Sequence, residues 1–150
     1  MCVAIKNEGS GFFGMQKIIF VVDDNDTNLT MAEEALEDCY RVMTLPSAKR
    51  MFALLEKLKP DLILLDIEMP EMDGFEALGQ LKQNQAYKNI PVMFLTSMSD
   101  PAGEERGLGL GAVDFVSKPF SEPLLANRVK IHLELADLIR ERENYARQNN

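Results

Sequence analysis

The stretch LILLDIEMPEMDG, residues 62–74, ends an apolar run in an acidic side chain. Four aliphatic residues are followed by Asp66, and then by proline, glycine and three more carboxylates (Glu68, Glu71 and Asp73). A continuous apolar run of this length is typical of a parallel strand that is buried on both faces. The sequence therefore predicts a carboxylate at the point where a central strand leaves the core.

Other apolar runs lie before and after this one, separated by segments with helical periodicity. Strand and helix patterns alternate five times, which predicts an α/β fold with a doubly wound parallel sheet and right-handed crossovers. Gly111 is placed to end the fourth helix, which Asp100 would begin. The apolar runs are KIIFVV (17–22), RVMTL (41–45), DLILL (61–65), PVMFL (91–95) and AVDFV (112–116).

The composition is that of one globular domain of 150 residues with a formal net charge of −8. This charge argues against direct binding to nucleic acid or to an anionic membrane, and no apolar run is long enough to cross a membrane. One histidine and two cysteines provide neither a zinc site nor a disulfide framework, and both thiols are expected to be free. Residues 1–15 are expected to form a flexible lead-in without the features of a signal peptide, which favours a cytoplasmic location.

Two more carboxylates follow the first apolar run, because Asp23 and Asp24 come directly after Val22. If the strand order is 2-1-3-4-5, the winding direction reverses between strands 1 and 3, which carry Asp23, Asp24 and Asp66. Three carboxylates at one edge repel each other without a cation, and hard oxygen donors suit Mg²⁺. Acids after strands are also ordinary turn formers and helix caps. That alternative suffices for Asp26, but it does not explain acids on both strands that flank one crevice.

Strands 4 and 5 would add a hydroxyl and an ammonium group to the same edge, from Thr96 and Lys118. A cation, a carboxylate, a hydroxyl and a fixed ammonium group together meet the needs of phosphoryl transfer to a carboxylate. Taken alone, Thr96 is only a strand end and Lys118 only a surface lysine. Their arrangement on consecutive strand ends predicts a phosphoryl-transfer site.

Four motifs, VVDDN, LILLDIEMPEMDG, FLTS and FVSKPF, resemble in order and spacing those of the response-regulator receiver domains of two-component signalling. The resemblance covers about residues 16–130 and implies a flavodoxin-like fold with the strand order 2-1-3-4-5. It implies that Asp66 accepts a phosphoryl group from a sensor histidine kinase or a phosphotransfer protein. The domain would be a signalling switch and not a turnover enzyme acting on external substrates. We expect residues 131–150 to extend the last helix beyond this domain.

The resemblance also implies the metal ligands. Asp24 matches a direct ligand of Mg²⁺, for which Mn²⁺ could substitute, and Asp23 matches a neighbour that acts partly through water. Asp66 itself and the backbone carbonyl of Glu68 would complete the protein's share of the coordination shell. Glu68 and Met98 occupy the two variable positions that tune the lifetime of the phosphoryl group in the family.

The remaining site residues implied by the resemblance form a switch. Thr96 matches the switch hydroxyl, and Ser97 matches the small residue that leaves room for phosphoryl donors. Lys118 matches the lysine that senses the phosphoryl charge, and its bond to Pro119 is the one that is usually cis. Phe115 matches the aromatic residue whose rotamer follows Thr96, here without the hydroxyl of the tyrosine often found there. Phosphorylation would then change the face formed by helix 4, strand 5 and helix 5.

The last helical segment is longer than one sheet needs, and LLANRVKIHLELADLIRE (124–141) resembles the helix that leads into cyclic-di-GMP enzymes in some receivers. The chain is therefore expected to be the receiver part of a longer protein. An apolar stripe favours a homodimer through this helix, and a solvated C-terminal helix fits the pattern equally well. A stand-alone receiver whose partner binds the helix 4 face is a further alternative. The stripe consists of Ile131, Leu135, Leu138 and Tyr145.

Two other classes of function fit part of the pattern. Phosphatases of the haloacid dehalogenase type also use a strand-end aspartate with Mg²⁺, and they need a second acid two residues later as general acid. Glu68 has that spacing, but the chain leaves no room for a cap domain and its acidic pair lies on strand 1. A receiver-like module that binds partners without phosphorylation is the second alternative, and the intact set of site residues argues against it.

Overall fold

The computed structural model describes residues 16–97 and 101–148, so the predicted lead-in, Met98 and Asp100 lie outside the described residues. In this part of the chain, five strands alternate with five helices. The strands are β1 Ile18–Val22, β2 Arg41–Leu45, β3 Leu62–Leu65, β4 Val92–Thr96 and β5 Asp114–Ser117. The helices are α1 Asp26–Leu36, α2 Ala48–Leu55, α3 Gly74–Lys82, α4 Pro101–Leu110 and α5 Glu122–Gln148.

The strands form one parallel sheet in the order β2-β1-β3-β4-β5, which confirms the predicted α/β fold and strand order. The register pairs Val22 with Leu65, so the residues that follow them, Asp23 and Asp66, leave the sheet side by side. Strands β4 and β5 are likewise paired up to their carboxyl ends. The sheet therefore delivers the predicted polar residues to one edge.

Alternate residues of the strands pack on opposite faces of the sheet. On one face, Ile63 and Phe94 pack against α2 and α3, and on the other, Leu64 and Met93 pack against α1 and α5. None of these four side chains exposes any surface. Burial of each contributes roughly 1.5–3 kcal/mol before the entropy of folding is counted. The polar edge is thus supported by strands that are covered on both faces.

Side-chain caps fix where four of the helices begin. Each cap accepts a hydrogen bond from the backbone N–H three residues later, an arrangement that stabilises a helix by about 1 kcal/mol. The cap of α1 is Asn25, and Asp26 lies in the first turn of the helix. The four caps are Asn25, Ser47, Asp73 and Ser121.

The fifth strand begins later than the sequence predicts. The apolar run starts at residue 112, whereas β5 starts at Asp114. Gly111 has a φ of 110°, and the N–H of Ala112 donates to the carbonyl of Gly107, so these residues close α4 before the strand begins. Gly111 ends α4 as predicted, because glycine adopts positive φ without a steric penalty.

The expectation of free thiols is wrong for Cys39, which is disulfide-bonded. This residue lies in the turn between α1 and β2 and is only half-buried, so the core does not shield its sulfur from oxidation. The turn lies at the amino edge of the sheet, opposite the edge that carries the acids.

The long last helix that the sequence predicts is α5, which runs from Glu122 to Gln148 within the described residues. Its buried residues lie at four-residue steps and end at Leu133, and one step later Asp137 forms an ion pair with Lys17 at 2.7 Å. Residues 138–148 are all exposed. None of the helices in the described ranges combines the length and apolar character needed to cross a bilayer.

The loop after β3 contains a residue in an unfavourable backbone conformation. Glu71 has a φ of 71°, in the left-handed region that costs a residue other than glycine about 1 kcal/mol or more. Replacing Glu71 with glycine should raise the free energy of unfolding by up to about 1 kcal/mol, because the greater freedom of glycine in the unfolded chain offsets part of the relief. Urea unfolding followed by circular dichroism measures the change. Glu37→Gly, at a φ of −65°, is the matched control and should destabilise the protein. If both substitutions lowered the free energy of unfolding by the same amount, Glu71 would not be strained.

Candidate functional site

The carboxyl edge of the sheet brings the three predicted acids together. One carboxylate oxygen from each of Asp23, Asp24 and Asp66 lies within 4.8 Å of the other two. Asp23 and Asp66 are only 1% and 4% exposed, whereas Asp24 is exposed. Two buried carboxylates at this separation are unfavourable without positive charge, because both lose water and each repels the other.

Close backbone contacts hold Asp66 in place. Its N–H donates to the carbonyl of Val22 at 2.9 Å, and in the loop beyond it the N–H of Gly74 donates to the carbonyl of Ile67 at 2.8 Å. A Cβ at Gly74 would meet the carbonyl oxygen of Asp66 and would lie 2.8 Å from the Cα of Ile67. Glycine is therefore required where α3 approaches the strand end that carries the acid.

Lys118 supplies positive charge to the buried acids. Its Nζ lies 2.8 Å from Oδ2 of Asp23 and 3.3 Å from Oδ1 of Asp66, and 12% of its side chain is exposed. The other oxygen of Asp23 accepts the N–H of Asn25 at 3.0 Å. Hydrogen bonds to ionised groups in a shielded site are stronger than neutral ones, so Asp23 and Lys118 form a fixed pair beside Asp66.

The environment shifts the ionisation of Asp66. Its pKa is raised from 3.8 to about 6, chiefly by burial and then by the negative charge of Asp23, while Lys118 acts in the opposite direction. Asp66 is therefore ionised at neutral pH and becomes protonated in mildly acidic solution. A divalent cation beside it would favour the ionised form.

Asparagine at position 66 should stabilise the cation-depleted protein in a pH-dependent way. The pKa of Asp66 is higher in the folded than in the unfolded chain, so its ionisation destabilises the fold above about pH 6, and the penalty disappears as the pH falls towards 4. The gain in unfolding free energy for Asp66→Asn should be on the order of 2 kcal/mol at about pH 8 and small at about pH 4. Urea titrations in EDTA at both pH values test this, and a gain that does not vary with pH would contradict it.

The donor set fits a hard divalent cation. The carboxylates of Asp23, Asp24 and Asp66 offer only oxygen ligands, which suit Mg²⁺ and Mn²⁺. Because Asp24 is exposed, water has access to complete the shell. Glu68 lies in the loop two residues after Asp66 with its side chain exposed. The acid cluster could therefore hold the cation that the sequence predicts.

The other predicted site residues lie at the ends of β4 and β5. Thr96, the last residue of β4, is 1% exposed, and Ser97 beside it is exposed. The carbonyl of Thr96 accepts the backbone N–H of Lys118 at 3.0 Å, and the Lys118–Pro119 peptide bond is cis. The structure thus brings Thr96 and Lys118 to the same edge as the acids, while Met98 lies outside the described residues.

A row of aromatic rings behind the site is not predicted by the sequence. This aromatic row consists of Phe75, Phe94 and Phe115, with ring centroids 5.5 Å and 5.2 Å apart. The guanidinium carbon of Arg106, on α4, lies 4.1 Å from the centroid of Phe75. Arg106 also lines a cavity of about 420 Å³ together with Glu68. The rings and the arginine come from α3, β4, β5 and α4, so no local spacing could have indicated their contact.

A second cluster that the sequence analysis missed ties α5 to β5. Both oxygens of Asp114 lie 2.9 Å from Nη1 of Arg128, and Nε2 of His132 lies 3.0 Å from one of them. Burial would raise the pKa of Asp114, but hydrogen bonds from His132, the backbone of Phe115 and Arg128 lower it overall. Because Asp114 precedes Phe115, this cluster connects the strand that carries the aromatic residue to the long helix.

Known proteins share these features. Residues 19–130 match the family model for the response regulator receiver domain. A probable cyclic di-GMP phosphodiesterase of Vibrio cholerae serotype O1 is 44% identical over 119 residues, which are 79% of this chain and 27% of that protein. The polar-differentiation response regulator DivK of Brucella ovis is 32% identical over 120 residues, which are 79% of this chain and 98% of that protein.

Solved structures show the same architecture. The BeF3-activated receiver domain of DrrB, a Thermotoga maritima protein, superposes with a TM-score of 0.73 at 31% identity, over 80% of this chain and 99% of that one. The chain spans 27%, 51% and 26% of the lengths of three curated relatives. Since the family model matches well over half of the chain and DivK is matched along almost its whole length, this chain belongs to the response regulator receiver domain family.

Proposed function

We propose that this chain is a phosphoacceptor switch that takes a phosphoryl group onto Asp66 from a sensor histidine kinase or a phosphotransfer protein. The observation that carries the proposal is the buried carboxylate of Asp66, within 4.8 Å of two further carboxylates and 3.3 Å from the ammonium group of Lys118. This arrangement supports the proposal, because a nucleophile at position 66 would have both a cation-binding cluster and a fixed positive charge beside it.

The transfer step follows from the side chains. An oxygen of ionised Asp66 attacks the phosphorus of a phosphohistidine, the P–N bond breaks, and its electron pair returns to the imidazole, which leaves an acyl phosphate on Asp66. Mg²⁺ or Mn²⁺ held by Asp23, Asp24 and the carbonyl of Glu68 would neutralise charge on the phosphoryl oxygens. Lys118 would add positive charge at 3.3 Å from Asp66, and exposed Ser97 would leave room for the donor.

Phosphorylation would change the partners of Lys118. The ammonium group that pairs with Asp66 at 3.3 Å would contact the new phosphoryl oxygens, and the hydroxyl of Thr96 would hydrogen-bond one of them. The ring of Phe115 would change its position together with Thr96. The face formed by α4, β5 and α5 would then change, and a partner would bind its two forms with different affinity. Glu68 and Met98 would set how long the acyl phosphate survives.

Intact-mass spectrometry after incubation with acetyl phosphate tests the proposed function. One phosphoryl adduct that forms with Mg²⁺ and not with EDTA is the expected result. Sustained turnover of p-nitrophenyl phosphate would instead favour a phosphatase of the haloacid dehalogenase type. A protein that binds Mg²⁺ but gains no adduct would be a phosphorylation-independent binding module.

The wider setting of the domain is also a proposal. We take residues 16–130 as the receiver, residues 1–15 as a lead-in and residues 131–150 as a linker to an output domain in a cytoplasmic protein. The named activity of the Vibrio cholerae relative, cyclic di-GMP phosphodiesterase, suggests a cyclic-di-GMP enzyme as that output. Neither nucleic acid nor a membrane is needed as a direct partner of this chain.

The exposed side of α5 supports a homodimer through this helix. Apart from Ile139, its exposed large apolar residues follow steps of three, four or seven along the helix, on the side opposite the buried Leu125, Val129 and Leu133. Helical seams with this spacing pair with a second copy of themselves. The α4 face, with Leu108 and Leu110 exposed, is the alternative surface for pairing. The seam of α5 consists of Leu124, Ile131, Leu135, Leu138 and Tyr145.

A charge placed in the seam should separate the copies. Light scattering of the native chain should give twice its mass of 16.9 kDa in the presence of beryllofluoride and Mg²⁺. Leu138→Glu should return the mass to that of one chain, because the seam residue that is 60% exposed in the monomer would be buried in the dimer. Asn144→Glu adds the same charge on the opposite side of α5 and should leave the dimer intact. A native chain that stays monomeric with and without beryllofluoride would exclude this dimer.

A further inference from the structure

Helix α4 approaches the aromatic row through a glycine. A Cβ built at Gly107 would lie 2.6 Å from Cζ and 2.8 Å from Cε1 of Phe115, and 2.9 Å from Cε2 of Phe94. Real Cβ atoms do not come this close to a ring carbon, so the Phe115 ring occupies space that any other residue at position 107 would fill. The half-buried ring of Phe115 therefore lies in a slot, which we define as the Gly107 slot.

Helix formation does not explain this glycine. Glycine is the least favourable residue in a helix interior after proline, and Gly107 lies well inside α4. The neighbouring Gly109 shows the contrast, since a Cβ there would meet nothing within 4 Å. The rings therefore exclude a methyl group at position 107, whereas nothing in the described structure excludes one at position 109.

The Gly107 slot lies directly behind the proposed switch. Phe115 pairs with Phe94 across β4 and β5, and Thr96 follows two residues after Phe94 on the same strand. Arg106 precedes Gly107 in α4, and its guanidinium group lies over Phe75, at the other end of the aromatic row. Two successive residues of α4 therefore contact both ends of the row, which sets the position of the helix over the sheet.

We propose that Gly107 is a positioning residue that, because it has no side chain, leaves room for the Phe115 ring to lie inward, between α4 and Phe94, and thereby sets the balance of the switch. The proposal rests on the proposed function in that Phe115 follows Thr96, and it assigns the inward ring to the phosphoryl-bound conformation. A ligand that favours an inward ring binds more weakly when part of its binding free energy is used to force the ring back.

The test compares Gly107→Ala with Gly109→Ala in the full chain. Phenylalanine rings are labelled with ¹³C, the Phe115 signals are identified from a Phe115→Leu variant, and a soluble gadolinium chelate reports which rings face solvent. In protein without Mg²⁺ or phosphoryl donor, the Phe115 ring should become solvent-exposed in Gly107→Ala and stay protected in Gly109→Ala. If the Phe115 ring were protected from the chelate in both variants, or exposed to it in both, the proposal would be overturned.

A second measurement reports on the switch. Gly107→Ala should bind beryllofluoride in the presence of Mg²⁺ about tenfold more weakly than the native protein, which corresponds to ~1.4 kcal/mol, whereas Gly109→Ala should bind it normally. An exposed ring with unchanged beryllofluoride affinity would overturn the link to the switch. A native protein that binds no beryllofluoride would contradict the proposed function alone, because the ring comparison does not use the ligand.

A double variant covers the case in which Gly107→Ala folds poorly. If the alanine methyl group clashes with the Phe115 ring, adding Phe115→Leu should restore most of the lost melting temperature. Recovery in the double variant supports the Gly107 slot. A double variant that is no more stable than Gly107→Ala would show that the clash lies elsewhere and would overturn the proposal.

Discussion

Asp66→Asn should remove all phosphoryl incorporation from acetyl phosphate, so that the intact mass of the variant stays unchanged after incubation with Mg²⁺. The amide of asparagine carries no negative charge, and its oxygen is too weak a nucleophile to displace acetate from the phosphorus of acetyl phosphate. The replacement has nearly the same size, so the buried position, which is 4% exposed, should remain filled without a cavity. The loss therefore reports on chemistry and not on folding.

A nearby acid serves as the matched control for this variant. Asp26 lies in the first turn of α1, close in sequence to Asp23 and Asp24 but exposed to solvent. Asp26→Asn should gain the adduct as the native protein does. An adduct that persists on Asp66→Asn, located by peptide mapping to another residue, would show that Asp66 is not the acceptor.

Gly74→Ala should destabilise the protein by about 3 kcal/mol and impair the site as well. The added Cβ would meet the carbonyl oxygen of Asp66 and the Cα of Ile67, which are backbone atoms that cannot rotate away. The start of α3 or the loop after Asp66 must therefore move. Thermal unfolding by circular dichroism gives the stability, and titration with Mg²⁺ should show weaker binding because the loop carries the carbonyl of Glu68, which is the proposed ligand.

The same helix contains the control. Gly79 lies within α3, and a Cβ there would meet nothing within 4 Å. Gly79→Ala should therefore stabilise the protein, by up to about 1 kcal/mol, because alanine is the better helix former. If Gly74→Ala and Gly79→Ala changed stability in the same direction, the close approach of α3 to Asp66 would not be the cause.

Much of the fold and the location of the acids could be predicted because both depend on short-range patterns. A continuous apolar run marks a central strand to within about one residue, and parallel strands share a carboxyl edge. The resemblance to receiver domains implied the strand order that puts β1 beside β3, and with that order Asp23, Asp24 and Asp66 could be placed in one cluster before their distances were known. The positions of Thr96 and Lys118 at this edge follow from the same reasoning, applied to β4 and β5.

The features that were missed depend on packing between distant parts of the chain. Arg106 contacts Phe75 because α3 and α4 lie side by side, and no local pattern encodes that distance. Gly107 reads as a poor helix residue until the ring of Phe115 is seen beside it. The start of β5 was misplaced for a related reason, since apolar Ala112 belongs to the turn that closes α4. An apolar residue in a tight turn and one in a strand look alike in the sequence.

Beyond the ion pair between Lys17 and Asp137, the end of α5 projects from the domain, so a small tilt of the helix is enlarged at its far end. This pair connects the helix to the amino edge of the sheet, and the exposed residues 138–148 extend beyond it by roughly 16 Å at 1.5 Å per residue. A tilt of about 10° at that pivot would move the far end of the helix by about 3 Å, on the scale of the helix shifts that accompany switching. Small rearrangements inside the domain would thus appear at the far end of α5 as displacements large enough to break or form side-chain contacts.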